Sequence, residues 1–227
     1  MDHRREIDGL RALAVMPVIL FHAGFETFSG GYVGVDVFFV VSGYLISSIV
    51  LRGLDEGRFS VVEFYERRMR RILPALFLVL FVSIPFAWLW MLPADMERYS
   101  ASLASVAVFA SNILFWRTSG GYFDTASELK PLLHTWSLAV EEQFYLLYPL
   151  LLALVWARGR KALVLILGAG ALISFALAEW DSMLSSSFTF YLLPTRAWEL
   201  ALGAMPAIYL SRHGPPASAP QAQAAGS

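Results

Sequence analysis

Seven apolar runs, separated by short polar segments, occupy most of the first 210 residues of this chain. A helix crosses the hydrocarbon core of a bilayer with about 20 apolar residues, and lipid offers an unpaired backbone group no hydrogen-bond partner. Runs of this length and polarity are therefore expected to be helical. They cover residues 8–22, 32–51, 72–92, 100–116, 134–157, 162–178 and 188–210. The pattern predicts an all-α membrane protein, a multi-pass helical bundle of about six or seven transmembrane or re-entrant helices.

The composition supports a membrane protein, since 57% of the residues are hydrophobic and only 15% are charged. The first run is interpreted as a retained span rather than a cleaved signal peptide, because Arg11 lies inside it and further spans follow. After Leu210 the chain becomes rich in Pro, Ala and Gln and has no apolar face. This change predicts a membrane domain over residues 1–210 and a disordered tail over residues 211–227.

The residue types exclude several kinds of chemistry. The chain contains no cysteine, so disulfides, thiol nucleophiles and iron–sulfur clusters are excluded. No cluster of His and Asp has the spacing of metal ligands, and we predict no metal. The uneven distribution of arginines is interpreted as a sign of orientation, and no nucleic-acid partner is predicted.

The arginines predict how the chain is oriented in the cell membrane. Arg4 and Arg5 precede the first run, and six more arginines lie between residues 52 and 71. Because basic loops stay on the cytoplasmic side, the N-terminus is predicted to be cytoplasmic. Strict alternation of spans would place the basic segment 158–161 outside. A re-entrant 100–116 run would return that segment to the cytoplasmic side, and we favour this arrangement.

The first run carries an arginine near its start and a histidine near its end. On a helix, Arg11 and His22 stand roughly 16 Å apart and project from nearly the same face, so both can line one cavity. Asp36 lies a few residues into the second run, and antiparallel neighbours joined by a short loop would bring it to the depth of His22. A carboxylate beside an imidazole fixes its tautomer, which general-base catalysis needs. The alternative is a buried polar pair that only locks two helices together.

A basic segment lies before the third run. Its arginines, on a helix, would cover one broad side at the cytoplasmic mouth, where guanidinium groups suit phosphate oxygens. The alternative is simple anchoring at acidic lipid headgroups. The four residues are Arg67, Arg68, Arg70 and Arg71.

Carboxylates recur inside the later runs. Glu141 and Glu142 are consecutive and differ by 100° on a helix, so at least one must face the interior. We favour a site role for one of them, either hydrogen bonding of acceptor hydroxyls or pairing with Arg196. Arg196 and Glu199 are spaced i, i+3 and can pair on one helix face. Whether that pair is structural or lines a cavity stays open.

Aromatic residues and a second histidine mark the external ends of the later runs. His134 is predicted at the external interface, where helix capping or a headgroup contact is as well supported as catalysis. Trp136 is interpreted as part of the interfacial aromatic belt. Tyr191 and Trp198 suit the interface better than a sugar-stacking surface.

Polar residues between the fourth and fifth runs are compatible with two roles. Asn112 lies in the fourth run, and the loop over residues 117–133 contains further candidates. They form either an ordered loop over the cavity or a spacer. The loop candidates are Tyr122, Asp124, Glu128 and Lys130.

Five motifs in order together resemble the acyltransferase-3 family. They are Arg11 followed after ten residues by His22, VDVFFVVSGYLI at 35–46, ERRMRRILPAL at 66–76, HTWSLAVEEQFYLLYPLL at 134–151 and PTRAWELALG at 194–203. Members are multi-span membrane enzymes that O-acetylate peptidoglycan, lipopolysaccharide O-antigen and other glycans. The resemblance implies cytosolic acyl-CoA, such as acetyl-CoA, as co-substrate and a hydroxyl of a cell-envelope glycan as acceptor. It implies no tightly bound cofactor.

The resemblance also implies roles for individual residues. His22 matches the family's essential histidine, and Arg11 matches the basic residue spaced before it. Candidate catalytic residues are then His22, Asp36, Glu141 and Glu142, and candidate donor-binding residues are Arg11, Arg67, Arg68, Arg70 and Arg71. Candidate acceptor or cavity residues are Ser42, Tyr44, His134, Tyr145, Arg196 and Glu199. For Ser42, beside Gly43, we favour small-residue packing between helices.

The chain departs from the family pattern after the Arg196–Glu199 segment. Members usually continue with further helices, so a partner or a second copy is expected to supply them unless the shortened form suffices. Two alternatives to an active enzyme stay open. One is an inactive, truncated remnant that acts as a scaffold. The other is a transporter with a buried His/Arg/Glu relay, although no inverted repeat is apparent.

Overall fold

The computed structural model describes residues 5–119, 130–183 and 186–213. Within those ranges the chain forms nine α-helices and no strand, which confirms the predicted all-α class. The helices are α1 (Arg5–His22), α2 (Gly34–Asp55), α3 (Val61–Trp90), α4 (Pro93–Ala107), α5 (Ser111–Arg117), α6 (Thr135–Trp156), α7 (Arg160–Ser182), α8 (Ser186–Tyr191) and α9 (Leu193–His213). Two short 3₁₀ turns, Glu26–Phe28 and Gly31–Val33, connect α1 to α2.

Among the residues that the structure describes, four helices are long and apolar enough to cross a membrane. They are α2 with the 3₁₀ turn before it, α3, α6 and α7. α1 contributes a shorter apolar stretch, Gly9–His22. The helical membrane bundle expected from the hydrophobic pattern is therefore confirmed.

Two of the predicted runs do not form a single helix. The 100–116 run is divided between α4 and α5 by residues 108–110, where Phe109 adopts a left-handed φ of 54°. The 188–210 run is divided between α8 and α9 at Leu192. α9 continues to His213, past the predicted boundary at residue 210, and the remaining tail residues 214–227 lie outside the described residues.

The basic segment and the third span form one continuous helix. α3 begins at Val61, eleven residues before the predicted run, because the Ser60 hydroxyl caps it by accepting from the Glu63 N–H at 3.4 Å. Its 30 residues span about 45 Å, compared with about 30 Å for the hydrocarbon core. The arginines are therefore fixed on a rigid helix rather than on a loop.

The tightest helix contact joins α2 and α9. A Cβ on Gly43 would lie 1.9 Å from the Leu200 carbonyl oxygen, and a Cβ on Gly203 would lie 1.9 Å from the Val40 carbonyl oxygen. Each glycine thus admits the backbone of the other helix, as small residues do in membrane bundles. This finding supports the packing role expected around Ser42, which is buried beside Gly43.

Side-chain contacts fix the direction of each helix. α9 runs parallel to α2, since Asp36 meets Arg196 and Gly43 meets Leu200. α6 also runs parallel to α2. Its Trp136 ring contacts Phe39, and the Tyr148 hydroxyl lies 2.6 Å from the Ser47 hydroxyl.

α3 runs in the opposite direction to α6. The Tyr65 hydroxyl donates to the Leu146 carbonyl at 2.6 Å, and Arg68 meets Glu142 one turn earlier in α6. The two predicted basic regions lie on one side of the bundle. Arg160 at the start of α7 pairs with Asp55 at the end of α2, with a Nη2–Oδ1 distance of 2.6 Å. This contact agrees with the arrangement favoured from the charge pattern.

Candidate functional site

His22 ends α1 with its imidazole exposed. Its Nδ1 lies 2.8 Å from the Val18 carbonyl oxygen, one turn earlier in the same helix. A carbonyl only accepts hydrogen bonds, so Nδ1 carries the proton of the neutral ring and Nε2 carries the lone pair. The backbone therefore holds the imidazole in the tautomer that a general base or nucleophile at Nε2 needs.

Asp36 does not occupy the position that the sequence predicted. Its Oδ1 accepts a hydrogen bond from Arg196 Nη1 at 2.8 Å, and the Val18 carbonyl takes the orienting role beside His22. The pairing of Asp36 with His22 is therefore wrong.

The register of α1 against α2 explains the difference. Gly34 abuts the Ala14 carbonyl, and the Arg11 guanidinium lies 4.8 Å from the centre of the Phe38 ring. Asp36 is therefore level with about Ala14, roughly 12 Å along the helix from His22. The 3₁₀ turns after α1 return the chain alongside that helix before α2 begins, and the sequence gives no sign of this offset.

Arg196 lies at the centre of a partly buried charge network. Its Nη1 donates to Glu199 Oε1 at 2.6 Å as well as to Asp36, and its Nε donates to the Phe190 carbonyl at 3.2 Å. The predicted i, i+3 pair with Glu199 is confirmed. The Glu199 side chain is 1% exposed and that of Asp36 is 37% exposed, so one arginine balances a buried carboxylate and a partly exposed one. Truncating the arginine would leave both carboxylates without that partner.

Aromatic residues surround this network. The guanidinium of Arg196 lies 5.8 Å from the centre of the Trp136 ring and 5.4 Å from that of Phe190. Trp136 and Tyr191 are both buried and stack edge to face, so their predicted place in an interfacial belt is wrong. Trp136 packs against Phe39 of α2 and Tyr191 packs against Phe115 of α5, which withdraws both rings from lipid. Trp198 is half-buried against Phe175 of α7.

A second charged cluster joins α3 to α6. Arg68 Nη2 lies 2.6 Å from Glu142 Oε1, and the side chains are 22% and 14% exposed. The guanidinium also stacks 3.6 Å above the Tyr145 ring, whose hydroxyl donates to Glu141. Both glutamates therefore face the interior.

Neither glutamate forms an ion pair with Arg196. Its ion-pair partners among the described residues are Asp36 and Glu199, so the predicted pairing of Arg196 with Glu141 or Glu142 is wrong. The reason is that Arg68 supplies the cation for Glu142 from α3.

The four arginines of the basic segment do not form one patch. Arg68 turns inward, whereas Arg67 and Arg70 are exposed and pair along their own helix with Glu63 at 3.2 Å and Glu66 at 2.6 Å. Arg71 is exposed as well. The helix period separates Arg68 from its neighbours, which corrects the single broad side expected from the sequence.

His134 lies near His22, at the same end of the bundle. It precedes α6 but its side chain makes no capping hydrogen bond, so the capping role is wrong. Desolvation lowers the pKa of His134, and the nearby charge of His22 lowers it further. The structure thus brings two imidazoles together at the end of the bundle opposite the basic segments.

An amide pair that the sequence analysis missed fixes α5. The Asn112 side chain is fully buried and donates to Gln143 Oε1 at 3.2 Å, while Gln143 Nε2 donates back to Asn112 Oδ1 at 2.9 Å. Gln143 also donates to the carbonyl of Phe109, the left-handed residue at the break. The signal was present, because Gln143 directly follows the two glutamates in an apolar helix.

Several other candidate residues have their contacts elsewhere in the described part of the bundle. Tyr145 is buried between Arg68 and Glu141, and Tyr44 is half-buried against the core. Lys130 donates to the Thr118 carbonyl at 2.5 Å near the end of α5. Tyr122, Asp124 and Glu128 lie outside the described residues. Among the residues that the structure describes, no three His, Asp or Glu side chains are grouped as metal ligands.

Comparison with known proteins identifies the relatives of this chain. The "Peptidoglycan O-acetyltransferase OatA" of Listeria monocytogenes is 36% identical over 206 residues, which cover 87% of this chain and 32% of the relative. The "Putative membrane-bound transacylase BcsY" of Komagataeibacter xylinus is 38% identical over 206 residues, which cover 90% of this chain and 51% of the relative. This chain thus spans about a third to a half of the length of these relatives.

The family assignment rests on nearly the whole chain. No solved structure matches it at a significant level. A family model described as an acyltransferase domain matches residues 4–215, which include every motif considered above. The chain therefore belongs to the acyltransferase-3 family of membrane proteins.

Proposed function

We propose that this protein transfers an acyl group, acetyl in the first instance, from cytosolic acyl-CoA to a hydroxyl of an extracytoplasmic carbohydrate. The proposal rests on the geometry of His22. Its Nδ1 is held by the Val18 carbonyl, and its ring is exposed at the end of α1. The similarity to the Listeria protein, which is named a peptidoglycan O-acetyltransferase, supports a carbohydrate acceptor.

His22 supports two chemical routes. In the first, Nε2 takes the proton of the acceptor hydroxyl while that oxygen attacks the thioester carbonyl, and the carbon–sulfur bond breaks to release the CoA thiolate. In the second, Nε2 attacks the thioester carbonyl, and the carbon–sulfur bond breaks to release the CoA thiolate. The acceptor hydroxyl then attacks the acyl-imidazole, the carbon–nitrogen bond breaks to restore the neutral imidazole, and the hydroxyl proton passes to solvent. Both routes need the lone pair on Nε2, which the Val18 contact provides.

We assign Arg11 to binding of the donor. It lies on the same helix face as His22, roughly 16 Å nearer the basic segments, and its guanidinium rests on the Phe38 ring at 4.8 Å. In the proposal it binds a phosphate of CoA, and the extended pantetheine arm carries the thioester toward His22. The exposed Arg67, Arg70 and Arg71 attract the anionic donor to this side, which we take as cytoplasmic.

The two buried charge clusters are assigned a positioning role. Arg196 already binds Asp36 and Glu199, and Arg68 already binds Glu142. Because each carboxylate has a cation or hydroxyl partner, we assign the clusters to holding the helices in register rather than to deprotonating the acceptor. This assignment replaces a catalytic role for Asp36 with one in orienting α2 against α9.

Radiolabelled acetyl-CoA supplied to the reconstituted protein with a soluble glycan acceptor tests the proposal. We expect label in the glycan, and loss of that label in His22→Ala. Leu13→Ala is the matched control, since Leu13 lies on α1 and is 71% exposed. Binding of CoA without label transfer would favour an inactive remnant. Counterflow of the glycan across vesicles without acetylation would favour a transporter.

A further inference from the structure

Four exposed aromatic residues lie around His22, at the end of α1 and in the short segment that leads to α2. Each of them is between 36% and 57% exposed. Large aromatic groups that stay exposed together mark a binding surface more often than they occur by chance. The four residues are Phe21, Phe25, Phe28 and Tyr32.

The Phe21 ring connects this aromatic surface to the proposed catalytic residue. Its centre lies 5.2 Å from that of the His22 imidazole and 6.0 Å from that of the Tyr32 ring. Both contacts are edge to face, which is a favoured geometry for aromatic pairs. The imidazole and the Tyr32 ring therefore contact the same phenylalanine and lie within about 11 Å of each other.

A close backbone contact fixes Tyr32 in this position. A Cβ on Gly31 would lie 2.2 Å from the Pro17 carbonyl oxygen and 2.9 Å from the Cβ of Phe21. Because Gly31 has no side chain, the 3₁₀ turn that carries Tyr32 packs directly on the last turns of α1. The aromatic surface is therefore held by a helix, as a preformed binding site requires.

The surface lies at the aqueous end of the bundle. The apolar helical segment that begins at Gly31 and ends at Asp55 has 25 residues, which span about 38 Å, compared with about 30 Å for the hydrocarbon core. Its ends therefore extend beyond the hydrocarbon, and Tyr32 is its second residue. A carbohydrate on this side of the membrane can reach the ring.

We propose that Phe21 and Tyr32 form the acceptor subsite, on which a neutral pyranose ring stacks while one of its hydroxyls reaches Nε2 of His22. A pyranose presents C–H groups on its faces and hydroxyls at its rim, so an aromatic surface beside a hydrogen-bond acceptor matches both. Residues 23–33 contain no lysine or arginine, which favours a neutral sugar over an anionic one. The inference rests on the proposed function and identifies the part of the acceptor that is recognised.

Saturation-transfer difference NMR with a soluble tetramer of β-1,4-linked N-acetylglucosamine measures binding without turnover. We expect saturation of the ring C–H protons by the wild-type protein. Tyr32→Leu should raise the Kd about tenfold because the planar face is lost, and Tyr32→Phe should stay within about twofold because the ring remains. Trp180→Leu is the matched control, since Trp180 is a 73% exposed aromatic residue near the same end of the bundle and should leave the Kd unchanged.

Steady-state acetyl transfer to the same tetramer separates the subsite from the proposed function. Tyr32→Leu should raise the acceptor KM about tenfold, with little change in the KM for acetyl-CoA. Label transfer with an unchanged acceptor KM and Kd in Tyr32→Leu would overturn the subsite and leave the proposed function standing. Binding that depends on Tyr32 without any label transfer would do the reverse. Absence of saturation in the wild type, or an equal loss of binding in Trp180→Leu, would also overturn the subsite.

Discussion

The glycine crossing between α2 and α9 makes a prediction whose size follows from the geometry. In Gly43→Ala the new methyl group would lie 1.9 Å from the Leu200 carbonyl oxygen, whereas ordinary contact begins at 3.4 Å. The obstacle is helix backbone, which has no rotamer to change. The two helices must therefore separate by about 1.5 Å at this point.

Such a separation affects both stability and the Arg196 network. Overpacking of a well-packed interior costs roughly 1–3 kcal/mol, and we expect Gly43→Ala to lie toward the upper end because the clash is with backbone. The Arg196–Asp36 contact of 2.8 Å bridges the same two helices, so a comparable shift would stretch it beyond ion-pair distance. Gly203→Ala should lower the free energy of unfolding by a similar amount. The double variant should lose less than the sum of the two single losses, since the first methyl group already separates the helices.

Thermal unfolding in detergent, followed by circular dichroism, measures the effect. Gly170→Ala is the control, because Gly170 lies inside α7 with nothing within 4 Å of an added Cβ. It should leave stability unchanged or raise it by about 0.5–1 kcal/mol, as glycine is a poor helix former. If Gly43→Ala proved as stable as Gly170→Ala, the close approach of α2 and α9 would be refuted.

Two further predictions concern charged groups. Glu142→Gln should destabilise the protein by about 2–3 kcal/mol, because the Arg68 guanidinium loses its partner in a mostly buried site, and Glu142→Gln/Arg68→Met should recover most of the loss. A double variant no more stable than Glu142→Gln in thermal unfolding would contradict this. Because the pKa of His134 is lowered from its ordinary 6.5, the unfolded chain binds more protons below that pH, and stability should fall as the pH falls from about 7 to 5. His134→Gln should reduce this loss of stability at low pH. A pH profile of stability identical to that of the wild type would contradict the prediction.

The apolar runs and the pairs of residues within one helix were predictable from the sequence. Both depend on residues that are close together in the chain, through the length needed to cross lipid and the period of the helix. The i, i+3 pair of Arg196 and Glu199 follows from the helical period alone. So does the inward orientation of at least one residue of the Glu141–Glu142 pair, since adjacent side chains point in different directions. These expectations need no knowledge of which helices are neighbours.

The long-range partners were not predictable in this way. Asp36 meets Arg196 across 160 positions, and Arg68 meets Glu142 across 74. Such contacts depend on which helices are adjacent and on their register, which the 3₁₀ turns before α2 and the glycine crossing determine. The periodicity of Arg68 identifies its face but not the helix that the face meets.

The parallel directions of α2 and α6 determine the path of the chain between them. α2 ends at the basic side, and α6 begins at the opposite side, so this stretch must make an odd number of passages from side to side. α3 accounts for one of them, since it runs antiparallel to α6. The divided segment of α4 and α5 therefore enters and leaves at the same surface, which brings residues 118–119 and 130–134 to the end of the bundle that carries His22.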